Sequence, residues 1–225
     1  MRLATRLCSL LYFHNLSCWP NELKTAIAAS CRVIPSFITE AEELVLLQEI
    51  EPHMKRLRYE KAHWDDAIHL YREREHRKWS SPNEAVIQRI DSSFPSDAQH
   101  ITQVHVLDLH KDGLIKPHID SVRYCGSVIT GISLLSDAVM RLRHKDSKDS
   151  WIVDLLLPRR SLYPPLKFYV SHRYDFTHEI LSNDDSVFDG KRVEKSRRIS
   201  IICRDLPKQH HPDAAPLQMK PIPQS

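Results

Sequence analysis

The sequence predicts a mainly β protein, with helices first and then one antiparallel β domain. Three observations carry this. From residue 101 onward, short β-rich segments follow one another: "ITQVHVLDLH", "GSVITGISLL", "AVMRLRH", "SWIVDLLL", "RSLY", "YDFTHEI" and "RRISIICRDL". Many short strands without intervening helices indicate a sandwich or barrel. Two helix starts are legible before that point. The composition, 225 residues with 41% hydrophobic and 27% charged, suits one globular domain with a sizeable core. No apolar run reaches the length that a membrane span needs.

The first helix opens at Thr39-Glu40-Ala41-Glu42, which fits a capping box and leads into Leu44, Leu47 and Ile50. Pro52 should end it at or near Glu51. The second opens at Ser81-Pro82-Asn83-Glu84, another capping box with proline at the first helical position, and runs into Val86, Ile87 and Ile90. Between them, residues 59–79 are crowded with charge and aromatics and read as either a solvated helix or a surface loop. Lys111-Asp112-Gly113 reads as a turn ahead of "IKPHID". With only four glycines in the chain, other turns must use Asn, Asp or Pro. The Pro-rich end, residues 208–225, has the composition of a disordered tail.

Residues 1–21 contain Arg2 and Arg6, several Ser and Leu, and no acid, the composition of a mitochondrial transit peptide. That reading makes the protein mitochondrial, in the matrix, with a leader that packs poorly against the body. The five cysteines are odd in number and show no C-x-x-C spacing, which suits reduced intracellular thiols. A net charge of +3, with the histidines neutral, neither demands nor excludes nucleic acid.

Chemistry enters at "IKPHID". In an extended segment residues i and i+2 share a face, so the imidazole of His118 and the carboxylate of Asp120 converge. A third candidate, His178, lies in the strand-like "RYDFTHEI". Two histidines and one carboxylate leave open positions on a metal, the donor set of non-haem Fe(II) oxygenases. With 14 histidines in the chain, a surface pair is the competing reading. In "RRISIICR", alternation puts Arg198, Ser200, Ile202 and Arg204 on one face and Ile199, Ile201 and Cys203 on the other. The second face is apolar and wants a core. If the first looks inward, its arginines need anionic partners, because unpaired buried charge is very costly. A dicarboxylate would supply one. If it looks outward, the arginines simply solubilise it.

In order, "HVLDLHKDGLIKPHID", "GISLL", "MRL", "SLY", "RYDFTHEI" and "RRISIICR" resemble the catalytic core of the AlkB-type Fe(II)/2-oxoglutarate dioxygenases, over residues 31–207. The resemblance implies a double-stranded β-helix, or jelly roll, flanked by helices. It implies that His118, Asp120 and His178 bind Fe(II), that Arg198 pairs with the distal carboxylate of the cosubstrate 2-oxoglutarate, and that Arg204 lies beside it. Tyr163 resembles the family's tyrosine that hydrogen-bonds the cosubstrate; Ser200 is a further candidate on the same strand face. O2 would be the co-reactant. The chain departs from the pattern after "SLY", where Pro164–His172 lacks the usual glycine and is about three residues longer.

Three functions follow from this. The first is a mitochondrial dioxygenase acting on a protein or other non-nucleic-acid substrate. The second is a nucleic-acid demethylase, which must flip a base into its pocket and hold it with stacking aromatics. "RLRYEKAHWDD" mixes acids with its bases, so nucleic acid is the less expected partner. The third is a regulatory binding protein that retains the fold and cosubstrate site. Trp64 and Trp79 read as structural or solvated.

Overall fold

The computed structural model describes residues 9–120, 126, 128–163 and 175–206. Residues 1–8 of the expected leader, the Pro164–His172 departure and the 208–225 tail lie outside these.

Two helices, α2 (Glu40–Met54) and α3 (Ser81–Asp91), cover the sheet, and a shorter α1 (Asn21–Ser30) precedes them. The strands are β1 (Leu11–Phe13), β2 (Glu60–Ala62), β3 (Ile68–His76), β4 (Val104–His118), β5 (Ile129–Leu134), β6 (Ala138–His144) and β7 (Ile152–Leu157). Then come β8 (Leu162–Tyr163), β9 (Phe176–Ile180), the small hairpin β10 (Val187–Phe188) and β11 (Lys191–Arg192), and β12 (Arg198–Arg204). All pairings are antiparallel, in the order β1-β7-β6-β9-β4-β12-β5-β8, with the β2–β3 hairpin attached to β4.

β4 makes this a two-layered structure. Its first half, residues 105–109, pairs with β12, while Ile115 and His118 in its second half pair with Ile180 and His178 of β9. One strand is thus shared by a β12-β5-β8 layer and a β9-β6-β7-β1 layer. Between them lies one core, which includes Leu107, Leu109, Met140, Leu142, Leu155 and Phe176. A second core lies under the helices, where Leu46, Ile50, Met54, Val86 and Ile90 meet Ile199, Ile201 and Cys203. The predicted alternation of the last strand therefore holds: its apolar face meets the helices and Ile202 joins the core between the layers.

Several sequence expectations are corrected. Lys111-Asp112-Gly113 is not a turn, because β4 runs straight through it. Opposite Leu70 the register slips from Leu114↔His69 to Leu109↔Tyr71, so β4 bulges at residues 110–113. Leu70 takes φ 52° there. Gly113 serves close approach: a Cβ would lie 2.7 Å from the Leu70 carbonyl and 2.8 Å from that of His69. The bulge is tied down by Lys195, 3% exposed, whose Nζ donates to the Lys111 and Gly113 carbonyls at 2.9 and 2.8 Å. Asn183 donates to the Lys111 carbonyl as well. Burial and the nearby Arg198 push the Lys195 amine down to about 8.

Residues 59–79 contain the β2–β3 hairpin, neither helix nor loop. Pairing with β4 overrides the charged composition, and Asp66, Arg72 and Glu73 find partners there in Lys116, Asp108 and His105. The capping box at Thr39 forms as predicted. Pro52, however, lies inside α2, which closes its last turn through the Lys55 N–H on the Glu51 carbonyl at 2.9 Å. A proline this near the C-terminus forfeits one ladder bond, and the burial of Met54 just beyond it holds the turn. The box at Ser81 does not form. The N-cap is Ser80, whose hydroxyl is drawn instead to Glu49 of α2 at 2.5 Å.

The expectation that the leader packs poorly against the body fails for its second half. Leu11–Phe13 pair with β7, and Trp19, 5% exposed, is part of the core between the layers. His14 reaches the buried Asp154 at 2.7 Å. An apolar strand and an indole find unfilled space on the β7 edge, which Arg/Ser/Leu composition cannot reveal. Scarcity of glycine is met largely by other residues: among the described residues Asn15, Ser36, Asp66, Leu70, Leu135, Arg160 and Asp189 take positive φ. No helix among them is long and apolar enough to cross a membrane.

Replacing Gly113 by alanine should destabilise the protein by about 1–3 kcal/mol, the usual range for forcing atoms into filled space. Chemical denaturation would measure this, and unchanged stability would show that the bulge has room to move.

Candidate functional site

His118 ends β4 and His178 sits midway along β9, and the two are register partners. Asp120 follows two residues later. The pairing of two antiparallel strands thus puts both imidazoles on the inward face, with ring centroids 4.2 Å apart. One ligand atom from each of His118, Asp120 and His178 lies within 4.8 Å of the others. Asp120 offers one oxygen to each histidine, at 3.7 Å from His118 Nε2 and 3.6 Å from His178 Nε2. These separations are too long for hydrogen bonds and suit three groups around one ion.

The rest of the cluster fixes protonation. His118 Nδ1 lies 2.9 Å from the Lys116 carbonyl, so that nitrogen donates and Nε2 is left to face the cluster. Burial acts to lower the His118 pKa, but Asp120 outweighs it and holds it above the ordinary value. For Asp120, burial acts to raise the pKa, and the charges of His178, His118 and Arg204 prevail, keeping it well below the usual carboxylate range.

Across the interior, on β12, Arg198 is 2% exposed. Its Nε donates to Ser133 Oγ at 2.8 Å, and its guanidinium carbon lies 5.9 Å from the Tyr163 ring centre. Among the described residues no carboxylate lies within ion-pair distance of it. Burial lowers its pKa, opposed only by Tyr163. Tyr163 is buried too, which pushes its phenol up to about 12 against Arg198 and a hydrogen bond with Ser200. Space for that phenol comes from Gly131, its cross-strand partner on β5, where a Cβ would lie 2.3 Å from the hydroxyl.

Arg204, at the end of β12, hydrogen-bonds His105 Nδ1 on β4, and His105 Nε2 meets Glu73 Oε2 on β3 at 2.8 Å. Arg204, His105 and Glu73 line a cleft of about 650 Å³ together with His118 and Asp120. Of the seven residues named from the sequence, His118, Asp120 and Arg204 line this cleft, His178 completes the triad, and Arg198, Ser200 and Tyr163 are buried on β12 and β8. His105 and Glu73 escaped sequence reading. His105 shares the inward face of β4 with Leu107 and Leu109, and an imidazole in that apolar alternation was the available signal. Glu73 lay in the stretch left without a strand.

The donor set and its surroundings suit a divalent metal with an anionic second ligand. Nitrogen and carboxylate donors fit ferrous iron and leave coordination positions free. A fully buried cation with no carboxylate beside it fits the far end of a dicarboxylate.

Comparison with known proteins agrees with this geometry. The chain is 46% identical over 190 residues to "Alpha-ketoglutarate-dependent dioxygenase alkB homolog 7, mitochondrial" of Bos taurus, covering 84% of each chain. It is 48% identical over 177 residues to the Mus musculus protein of the same name, covering 78% of each. The chain belongs to the AlkB-homologue family of alpha-ketoglutarate-dependent dioxygenases. The family is one of enzymes, and these two relatives are named mitochondrial. Among solved structures, a Pseudomonas putida prolyl-4-hydroxylase superposes with TM-score 0.54 at 10% identity, covering 82% of this chain and 96% of that one. That likeness concerns the fold alone, a jelly roll, as the sequence resemblance implied. No family model matches the chain.

In the metal-free protein the raised His118 pKa adds stability that is full below the unfolded value of about 6.5 and fades as pH rises through the folded one. Asp120 has the opposite sign: its contribution is present above about 3.8 and is lost as pH falls through its depressed folded value. A coordinating His118 must be deprotonated, so binding of Mn(II) should release protons and weaken as pH falls from about 8 to about 6. Calorimetry in buffers of different ionisation enthalpy would read the release. Affinity that stays flat over that range would argue against His118 as a ligand.

Proposed function

We propose that the protein is an Fe(II)- and 2-oxoglutarate-dependent dioxygenase of the mitochondrial matrix that acts on a protein or other non-nucleic-acid substrate. The observation that carries the cosubstrate half of this reading is Arg198, a guanidinium buried on β12 with no carboxylate within ion-pair distance among the described residues. His118, Asp120 and His178 would hold the iron. Arg198 would take the distal carboxylate of 2-oxoglutarate in a bidentate grip, with Tyr163 and Ser200 offering hydroxyls beside it, and Arg204 would stand nearer the metal. Bound Fe(II) supplies the activation of O2, coupled to decarboxylation of 2-oxoglutarate to succinate and CO2 and to oxidation of the prime substrate. The chain's share is to position and to exclude water. The two layers close around Arg198 and Tyr163, and the Lys116 carbonyl accepts from His118 Nδ1, which leaves Nε2 as the nitrogen that would face the metal.

The charge at the cleft supports a non-nucleic-acid substrate. Apart from the metal cluster and Arg204, its walls carry Asp65, Glu73 and Glu75 against Arg74. A polyanionic backbone is poorly received by that balance, since phosphate contacts supply much of nucleic-acid affinity. Trp64, at the tip of the β2–β3 hairpin, is 86% exposed and is followed directly by Asp65 and Asp66, whose charge disfavours a phosphate backbone beside a stacked base. Import would be directed by the segment before Leu11, with residues 11–19 retained as part of the fold.

Succinate formation from 2-oxoglutarate and Fe(II), measured alone and with peptides or methylated oligonucleotides, tests the reading. Stimulation by oligonucleotides and not by peptides would favour the demethylase alternative. Binding of 2-oxoglutarate without any turnover would favour the regulatory one. Arg198→Lys keeps the charge but loses the planar fork, so affinity for 2-oxoglutarate should fall by about 1.5–3 kcal/mol, roughly ten- to hundredfold. Arg192, exposed on β11, should tolerate the same change.

A further inference from the structure

The Glu73–His105–Arg204 row spans three adjacent strands. β4 is central, with Glu73 on β3 to one side and Arg204 on β12 to the other. His105 is paired with Glu75 and Ile202, so Glu73 and Arg204 lie diagonal to it, two residues along on the same inward face. Geometry and chemistry together permit a single arrangement of protons. A guanidinium has no acceptor, so in the bond to Arg204 the imidazole must accept at Nδ1. His105 then carries its proton on Nε2 and donates it to the Glu73 carboxylate at 2.8 Å. The carboxylate polarises the ring and makes Nδ1 a better acceptor. Burial acts to raise the Glu73 pKa, and His105 overrides it, so the carboxylate stays ionised. Among the described residues no carboxylate pairs directly with Arg204. Its positive charge is thus held in place without being neutralised.

We propose that Glu73, acting through His105, is a positioning residue that locks the Arg204 guanidinium in one orientation beside the metal cluster, ready for the cosubstrate. This rests on the cosubstrate reading above. A long arginine side chain loses rotamer freedom when it is held, and a direct carboxylate partner would fix it only by cancelling the charge it has to offer. An imidazole between them transmits the restraint and leaves the charge available.

The test is 2-oxoglutarate binding to the full chain loaded with Mn(II), read by calorimetry. His105→Phe keeps the ring's bulk and loses both hydrogen bonds, and should weaken 2-oxoglutarate about tenfold. Glu73→Gln keeps a hydrogen-bond acceptor and loses the charge, and should weaken it by less. His105→Gln can accept from Arg204 and donate to Glu73 at once, and should restore most of the parent affinity. Mn(II) affinity should be unchanged in all three. Were the histidine needed only for packing, the phenylalanine variant would bind 2-oxoglutarate like the parent and the glutamine variant would be the weaker, which would overturn the proposal. Arg198→Lys, run alongside, separates the two layers of the argument. If it weakens binding while His105→Phe does not, the relay falls and the cosubstrate reading stands; if neither matters, the cosubstrate reading itself is wrong. Should His105→Phe fail to fold, Glu73→Gln and His105→Gln carry the comparison, and equal affinity of Glu73→Gln and the parent overturns the role of Glu73.

Discussion

One strand has to hydrogen-bond into two layers, and the site exists because it does. β4 gives residues 105–109 to β12 and His118 to β9. A strand that changes partners must bend, and a regular ladder resists bending, so the chain inserts extra residues opposite Leu70. The inserted carbonyls need donors, and Lys195 supplies them from the segment leading into β12, joined by Asn183 from just after β9. The same segment thus stabilises the bend and delivers Arg198 to the interior. Gly113 lets the two backbones close on each other at that point, which a side chain there would prevent.

Buried charge shows what the interior is built to hold. Of four deeply buried carboxylates among the described residues, Asp205 accepts from the Val128 N–H and the other three are met by guanidinium groups. Glu43 takes Arg159 and ties α2 to the segment after β7. Asp108 takes Arg72 and Arg197, and Asp154 takes Arg141 in a two-bonded pair. Against that background an arginine at 2% exposure with, among the described residues, a serine hydroxyl and an aromatic ring beside it stands apart. The fold meets these carboxylates from within the chain, whereas Arg198 has no carboxylate partner among the described residues, which is what the proposed cosubstrate site rests on.

What the sequence disclosed follows from how local each signal is. Strand alternation is local, so β12 and the converging His118 and Asp120 were legible, as was the capping box at Thr39. Strand partners are not local. Nothing in "HRYDFTHEI" says that His178 pairs with His118; only the family resemblance joined them. The β2–β3 hairpin was missed because its charges are satisfied across strands, by Asp108, His105 and Lys116, and a single segment shows charges without their partners. The Asp112-Gly113 pair was misread because the same two residues serve a turn or a bulge, and only the opposing backbone decides which. Residues 11–19 were misread because composition records what an N-terminus is made of and is silent on the groove it fills.

The division of the site between two layers links stability to function. The metal cluster belongs to the β9 layer and the arginine clamp to the β12 layer, and a molecule bound between them touches both. An unpaired buried cation opposes folding by several kcal/mol unless its surroundings compensate. The serine hydroxyl and the tyrosine ring that contact Arg198 compensate only in part, since neither carries negative charge at neutral pH. A dicarboxylate between the layers would relieve that opposition and would add its own binding free energy to the folded state alone. The part of the molecule that costs the fold most is therefore the part proposed to receive a ligand. The paired carboxylates at Glu43, Asp108 and Asp154, each joining elements distant in sequence, are what allow the fold to carry it.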